Sequence, residues 1–261
     1  MNTEPTTYSA IDAVNFSTLK DFALSARRYR HTLAKPRVDT DSMRTGRIDH
    51  RAILEPDTLA DLPVWPGGDR KKAALASFIA ANGEDYIWKE QELFDARALS
   101  AAVHAHPTAG PLVRTPGECE KVLVKACPRT GIMRKARLDK LCEGLVLEVK
   151  TTKQPLSERM IQRQITGYAY HAQMAWYLDI AGVDAGKWIL VEQAAPHDVV
   201  VVPASLEWVE AGRALYSQWL DRLVECRRTD TWPGLCDGEM EIEVPEYILT
   251  AGDTFELEAA E

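Results

Sequence analysis

The sequence predicts an α/β or α+β fold in which helices surround a central run of hairpin-linked strands. Three observations predict it. Helical periodicity dominates the first hundred residues, alternating segments separated by short turns fill 118–151, and amphipathic periodicity returns from about 157. The chain has 261 residues, 46% apolar and 27% charged, which suffices for a sizeable core without disulfides. That composition excludes collagen-like, low-complexity and wholly disordered classes. No internal repeat is present.

Taken in order, Phe16-Ser17-Thr18-Leu19 opens a predicted helix capped by Ser17 and running to about Tyr29. A second helix is expected over about 41–54, stopped by Pro56, and a Pro/Gly loop over 61–70. Helices are expected at about 71–81 and 95–105, the latter ending near Pro107. Residues 118–125 alternate as a strand, and Pro128-Arg129-Thr130-Gly131 is a turn. Strands over 132–141 and 145–151 follow, joined at Cys142-Glu143-Gly144. One long helix is expected from about 157 to 181, ended by Gly182. Strands at 188–193 and 199–202 and a helix over 206–226 complete the pattern. Residues 1–236 read as a single domain and 237–261 as an acidic C-terminal tail.

Charge is divided along the chain. Residues 237–261 carry nine acids and no Lys or Arg, whereas 121–163 carry eleven basic and four acidic residues. A basic middle of this kind is either a solvated face or a cationic groove for a phosphate backbone. The five cysteines form no CxxC, which excludes a disulfide framework and a cysteine-built zinc or iron–sulfur site and fits a reducing compartment. The first twenty residues lack a basic start followed by an apolar core, and no stretch approaches the roughly 20 apolar residues of a membrane span. A cytoplasmic protein without a membrane partner is the expectation.

The chemistry-bearing pattern is Arg137-Leu138-Asp139 followed by Glu148-Val149-Lys150. Residues two apart in a strand share a face, so Glu148 and Lys150 point the same way. A turn centred near Glu143 sets Asp139 opposite Leu147 or Glu148. Two carboxylates so placed repel each other unless a cation intervenes. Hard oxygen ligands of this type suit Mg²⁺ or Mn²⁺, and the Val149 carbonyl is a further oxygen. Lys150 then orients or deprotonates a water, or stabilises a pentavalent phosphate. The same residues on a hairpin end also make an ordinary surface ion-pair set. Downstream, Gln173 and Tyr177 lie four apart on one helix face, with Tyr170 three before Gln173. Upstream, Gly46 and His50 are one turn apart, and the small residue admits a neighbouring element. Glu118 and Glu120 share a strand face, and either could add a carboxylate.

The order His50, Glu120, Asp139, Glu148-x-Lys150, Gln173-x-x-x-Tyr177 resembles the PD-(D/E)xK nuclease superfamily, and within it the RecE-like, lambda-exonuclease and RecB-nuclease branch. Met43-Arg44-Thr45-Gly46-Arg47-Ile48-Asp49-His50 with Glu55-Pro56 is similar to the histidine helix of the RecE-like members. Residues 170–177 are similar to their helix after the active-site strands, and Thr231-Trp232-Pro233-Gly234 to a tail motif of related phage nucleases. Leu138 stands where the family has proline, a position that sets strand geometry. Relatives with an iron–sulfur cluster are disfavoured by the cysteine pattern.

The resemblance implies a restriction-endonuclease-like core with a mixed sheet and Mg²⁺-dependent hydrolysis of phosphodiester bonds in line with the departing 3′ oxygen. It implies that Asp139, Glu148, His50 and the Val149 carbonyl hold metal, with Mn²⁺ able to substitute. Lys150 would be catalytic, Gln173 and Tyr177 would support the site, and Glu120 would be the upstream acid. Arg27, Arg28, Lys35 and Arg137 are candidates for DNA or 5′-phosphate binding. It further implies an exonuclease on linear double-stranded DNA, acting 5′→3′ and leaving 3′ overhangs for a single-strand annealing protein, and a homo-oligomeric ring. An endonuclease of the same superfamily and a non-catalytic DNA-binding protein of the same fold are the alternatives.

Overall fold

The computed structural model describes residues 8–35, 40–65, 67, 77, 78, 80, 81 and 88–244. Chain order runs β1 (Val14–Asn15), α1 (Phe16–Leu19), α2 (Ala26–Leu33), α3 (Asp41–Leu54), β2 (Val64–Trp65), β3 (Trp88–Lys89), α4 (Glu90–Ala105) and α5 (Ala109–Arg114). It continues with β4 (Gly117–Ala126), β5 (Met133–Cys142), β6 (Leu145–Thr152), α6 (Glu158–Gly167), α7 (Tyr170–Ala181), β7 (Ala185–Glu192), β8 (Val199–Pro203) and α8 (Leu206–Thr229). The fold is mixed α/β, a central mixed sheet flanked by helices, as the sequence predicts. Among the described residues no helix is long and apolar enough to cross a membrane.

Six strands form the main sheet, in the order β1-β5-β6-β7-β8 with β4 on the other side of β5. β4, β5 and β6 are antiparallel neighbours, whereas β1 with β5 and β6 with β7 run parallel. The β5–β6 hairpin turns at Glu143-Gly144, where Gly144 takes φ +71°, a backbone that glycine adopts without strain. Its ladder is short. Cys142 pairs with Leu145 and Lys140 with Leu147, and there it ends. Beyond that point β6 stays with β7, and β1 pairs with β5 at Arg134 and Lys135. The sheet therefore forks between Asp139 and Glu148.

Apolar clusters lie on both faces. One joins α1, α2, α7 and α8 to the sheet through Phe16, Phe22, Leu138, Trp176, Trp188 and Leu220. The other joins α3, α4 and α5 to Val149, Ile189 and Val191. Neighbouring residues of β6 thus serve opposite faces, which fixes the direction of Glu148 and Lys150. Gly212 lets α8 lie against α7, since a Cβ there would collide with the His171 carbonyl oxygen.

Several expected boundaries change. The first predicted helix is two helices. Asn15, not Ser17, caps α1 by accepting the Thr18 N–H, and Ser25 restarts the chain by capping α2 through the Arg28 N–H. The expected helix over 157–181 is also two, because Ala169 takes a left-handed φ of 57° just after Gly167. α4 begins at Glu90 rather than 95, with Glu92 accepting the Lys89 N–H at 2.7 Å. α5 and the β2–β3 pair fall where no regular structure is expected. Most of the predicted helix 71–81 lies outside the described residues, as do residues 245–261 of the acidic tail. Within the described part, Trp232 stacks on Tyr29 and the Pro233 carbonyl accepts the Arg27 N–H, so residues 232–233 pack against α2.

Asp179 on α7 ties three elements together. Its carboxylate accepts from Arg213 and Tyr216 of α8, and its carbonyl from Lys125 of β4. Burial raises the carboxyl pKa, but the bonds from Arg213 and Tyr216 outweigh it and hold the group below its usual 3.8. Such a group stabilises the fold fully above its unfolded pKa and loses that contribution as pH falls through the lower folded value. Asp179→Asn is expected to cost about 2 kcal/mol in urea unfolding at pH 6. The difference should shrink once the pH falls below 3.8. A difference unchanged across that range would remove the charge from the account.

Candidate active site

The fork in the sheet opens onto a cleft of about 590 Å³, bordered by α3, β4, β5, β6 and α7. On β5, Asp139 sits at the last unpaired position before the hairpin ladder. Its Oδ2 accepts the Val149 N–H at 2.8 Å across the fork. In an extended strand a residue's N–H and C=O lie on the same side. The Val149 carbonyl therefore also faces the fork. On α3, His50 places Nδ1 3.3 Å from Asp139 Oδ1. Thr40 caps this helix by accepting the Met43 N–H, and buried Ile48, Ala52 and Ile53 seat it. Asp49 fixes the helix to the sheet by accepting from Gln193, which also bonds Thr151.

On β6, Lys150 donates to Glu148 Oε1 at 2.8 Å and to Gln173 Oε1 at 2.9 Å. Gln173 in turn donates to the Tyr177 hydroxyl at 3.0 Å. The Tyr170 ring lies 4.6 Å from the Lys150 ammonium. The structure thus brings together His50, Asp139, Glu148, Val149, Lys150, Gln173 and Tyr177, the set singled out from the sequence. Of the two positions expected opposite Asp139, Leu147 pairs with Lys140, which leaves Glu148 across the fork.

The electrostatics follow from this packing. Burial and the Asp139 charge push the Glu148 carboxyl up to about 7, against an opposing pull from Lys150. Its Oε2 is buried and has no hydrogen-bond partner. Burial also acts to raise Asp139, but His50, Lys150 and the Val149 N–H hold it below its usual value. Burial disfavours the charged forms of His50 and Lys150, yet the neighbouring carboxylates keep both pKa values raised. Tyr177 is pushed well up by burial and by the two acids, so it is a neutral hydroxyl.

Glu120 has a left-handed φ of 50° in the middle of β4, opposite Asp139. The usual alternation breaks here. Lys140 reaches the Val113 carbonyl of α5, whereas Leu138, two residues away, belongs to the cluster around Trp176. A left-handed residue that is not glycine is uncommon and recurs at functional sites. Glu120 lines the cleft and pairs with Arg137 at 2.9 Å, while Glu118 pairs with Lys121 and does not line it. Burial raises the Glu120 carboxyl, with Arg137 opposing.

One reading from the sequence is corrected. Gly46 does not admit a packing partner, because a Cβ there meets nothing within 4 Å; it lines the cleft wall. Arg27, Arg28 and Lys35 are not among the residues lining the cleft. Arg27 pairs instead with Asp237 at 3.4 Å, because residues 232–237 fold back along α2. Arg137 does line the cleft. Spacing in the sequence sets Tyr170 one turn before Gln173, and its place over Lys150 emerges only from the structure. Nothing in the sequence marks Asp49.

A divalent cation fits this donor set. Glu148 keeps an orphaned oxygen and feels the charge of a second carboxylate, Asp139, and burying two anions together is unfavourable without a cation between them. Among the described residues no three His, Cys, Asp or Glu side chains are gathered into a ready-made cage. The fit therefore rests on Asp139, Glu148 and a backbone oxygen, with His50 beside them.

A mixed sheet forked at an aspartate, a Glu-x-Lys on the next strand and a Gln-x-x-x-Tyr helix beside them define a PD-(D/E)xK-type domain. The chain belongs to the family described as a PDDEXK-like domain of unknown function (DUF3799), whose model matches residues 15–243. Among solved structures it is similar to a protein from Eubacterium rectale described as a putative exonuclease. That likeness has 13% identity and a TM-score of 0.61, and covers 97% of this chain and 99% of the other. It is also similar to an alkaline exonuclease from Laribacter hongkongensis, at 13% identity and a TM-score of 0.39 over 84% of this chain and 92% of that one. At this identity the first likeness shows the fold alone. No curated protein matches the sequence.

Proposed function

We propose that the protein is a metal-dependent deoxyribonuclease, an exonuclease that hydrolyses phosphodiester bonds of linear double-stranded DNA. The observation that carries this reading is the bonded chain Glu148–Lys150–Gln173–Tyr177 set against Asp139, with one buried carboxylate oxygen left unpaired. Asp139, Glu148, the Val149 carbonyl and His50 would hold Mg²⁺, or Mn²⁺ in its place. Such an ion supplies Lewis-acid activation of a water and neutralises charge on the phosphoryl oxygens.

The chain's own residues do the rest. Lys150 remains an ammonium because two carboxylates flank it, so it acts as a donor rather than a base. It orients the attacking water or stabilises the charge that builds on the phosphate. Gln173 fixes the ammonium by accepting one of its protons, and Tyr177 fixes Gln173. Arg137, at the cleft wall, would meet a backbone phosphate, and Glu120 would add an acid once Arg137 turns to DNA. The resemblance to RecE-like enzymes supports 5′→3′ polarity, 3′ overhangs, a ring-shaped homo-oligomer and an annealing partner.

Digestion of linear duplex labelled at either end, beside covalently closed circles, tests the reading. Mg²⁺-dependent release of the 5′ label first, with circles intact, is expected. Cleavage of closed circles would make the protein an endonuclease, and no Mg²⁺-dependent cleavage of any DNA would leave a binding protein.

A further inference from the structure

Outside the cleft mouth, the turn between α6 and α7 holds a second aromatic beside Tyr170. The rings of Tyr168 and Tyr170 lie 5.5 Å apart at 35°. Tyr170 faces the Lys150 ammonium, while Tyr168 is 59% exposed. The pair exists because Ala169 between them adopts the left-handed backbone that splits the two helices. A regular helix would place residues 168 and 170 about 200° apart around its axis, so they could not meet. A strained, non-glycine turn thus presents an aromatic face to solvent one ring away from Lys150.

A solvent-facing ring is the component that binds a single nucleic-acid strand without regard to sequence, because every base has a π-face. A duplex end offers no free face of that kind until its terminal pair opens.

We infer that Tyr168, braced by Tyr170, is a stacking platform for an unpaired nucleobase beside the cleft. The strand to be cut is then held single-stranded at its end. This rests on the nuclease reading of the cleft, and it names the form in which that site takes its substrate.

The test uses the full chain in EDTA, so that binding is read without cleavage. The probe is a short duplex with a four-nucleotide unpaired end carrying 2-aminopurine, with a matched probe that is abasic at that position. Wild-type protein is expected to quench the 2-aminopurine. Tyr168→Ala should abolish the quench and weaken binding about tenfold, with Tyr168→Phe and Tyr168→Trp retaining both. On the abasic probe, wild type and Tyr168→Ala should bind equally. Equal binding of the unpaired 2-aminopurine end by wild type and Tyr168→Ala overturns the inference, as does the same loss on the abasic probe. Because Tyr168 is exposed, an unchanged melting temperature will show that Tyr168→Ala folds. A Tyr168-dependent quench in a protein that cleaves no DNA with Mg²⁺ would sustain the platform and remove the nuclease reading. Cleavage without such a quench would do the reverse.

Discussion

Glu148→Gln is expected to abolish Mg²⁺-dependent DNA cleavage and to raise the melting temperature of the metal-free protein at pH 8. Both results come from one feature. Glu148 is buried beside Asp139, with one oxygen lacking any partner and its carboxyl pushed up to about 7. An acid whose folded pKa exceeds its unfolded value weakens the fold as pH rises between the two. Metal-free wild type should therefore lose stability between pH 4.5 and about 7, the ordinary and the raised values. A shift of this size corresponds to on the order of 3 kcal/mol. Glutamine keeps the shape and removes the charge, so the variant should melt roughly 5 °C higher at pH 8. Its advantage should fade as pH falls below 4.5, where the wild-type carboxyl becomes protonated in both states. Mg²⁺ should raise the wild-type melting temperature and leave the variant's unchanged. Calorimetry across pH, with and without the ion, reads all of this. A variant that melts lower at pH 8, or still cuts DNA, would detach Glu148 from the role given to it.

Lys150→Met should also stop cleavage, by at least about 10²-fold in rate, but with the opposite effect on stability. The ammonium is the cation closest to Glu148, at 2.8 Å, and it also counters Asp139. Removing it leaves two buried carboxylates facing each other, a change that costs about 3–5 kcal/mol when one partner of a buried pair is lost. That loss should be smaller at pH 6, where Glu148 takes up a proton, than at pH 8. Lys150→Arg should not restore cleavage. The planar guanidinium cannot occupy the compact position between Glu148, Gln173 and the Tyr170 ring. Urea unfolding at both pH values, with a cleavage assay, separates the two predictions. Equal stability of Lys150→Met and wild type at pH 8 would show that the carboxylates do not depend on the ammonium.

The residues that meet in the cleft were largely legible in the chain. Period-two alternation puts Glu148 and Lys150 on one face, and a two-residue turn at Glu143-Gly144 is enough to bring Asp139 across. Helical spacing likewise sets Gln173 against Tyr177. These are local rules, and the sequence alone determines their outcome. What it does not contain is the break in those rules. Alternation gives no warning that the β5–β6 ladder ends after Lys140, or that β1 takes up pairing with β5 nearer its start. Nor does it show that Glu120 and Ala169 adopt left-handed backbone without being glycine. The break between β5 and β6 is imposed by packing on two faces of one sheet. Leu138 and Val149 sit in different apolar clusters, so the strands that carry them must separate. The fork that results opens the cleft. Contacts between segments far apart in the chain decided the rest, seating Tyr170 over Lys150 and turning Arg27 toward Asp237.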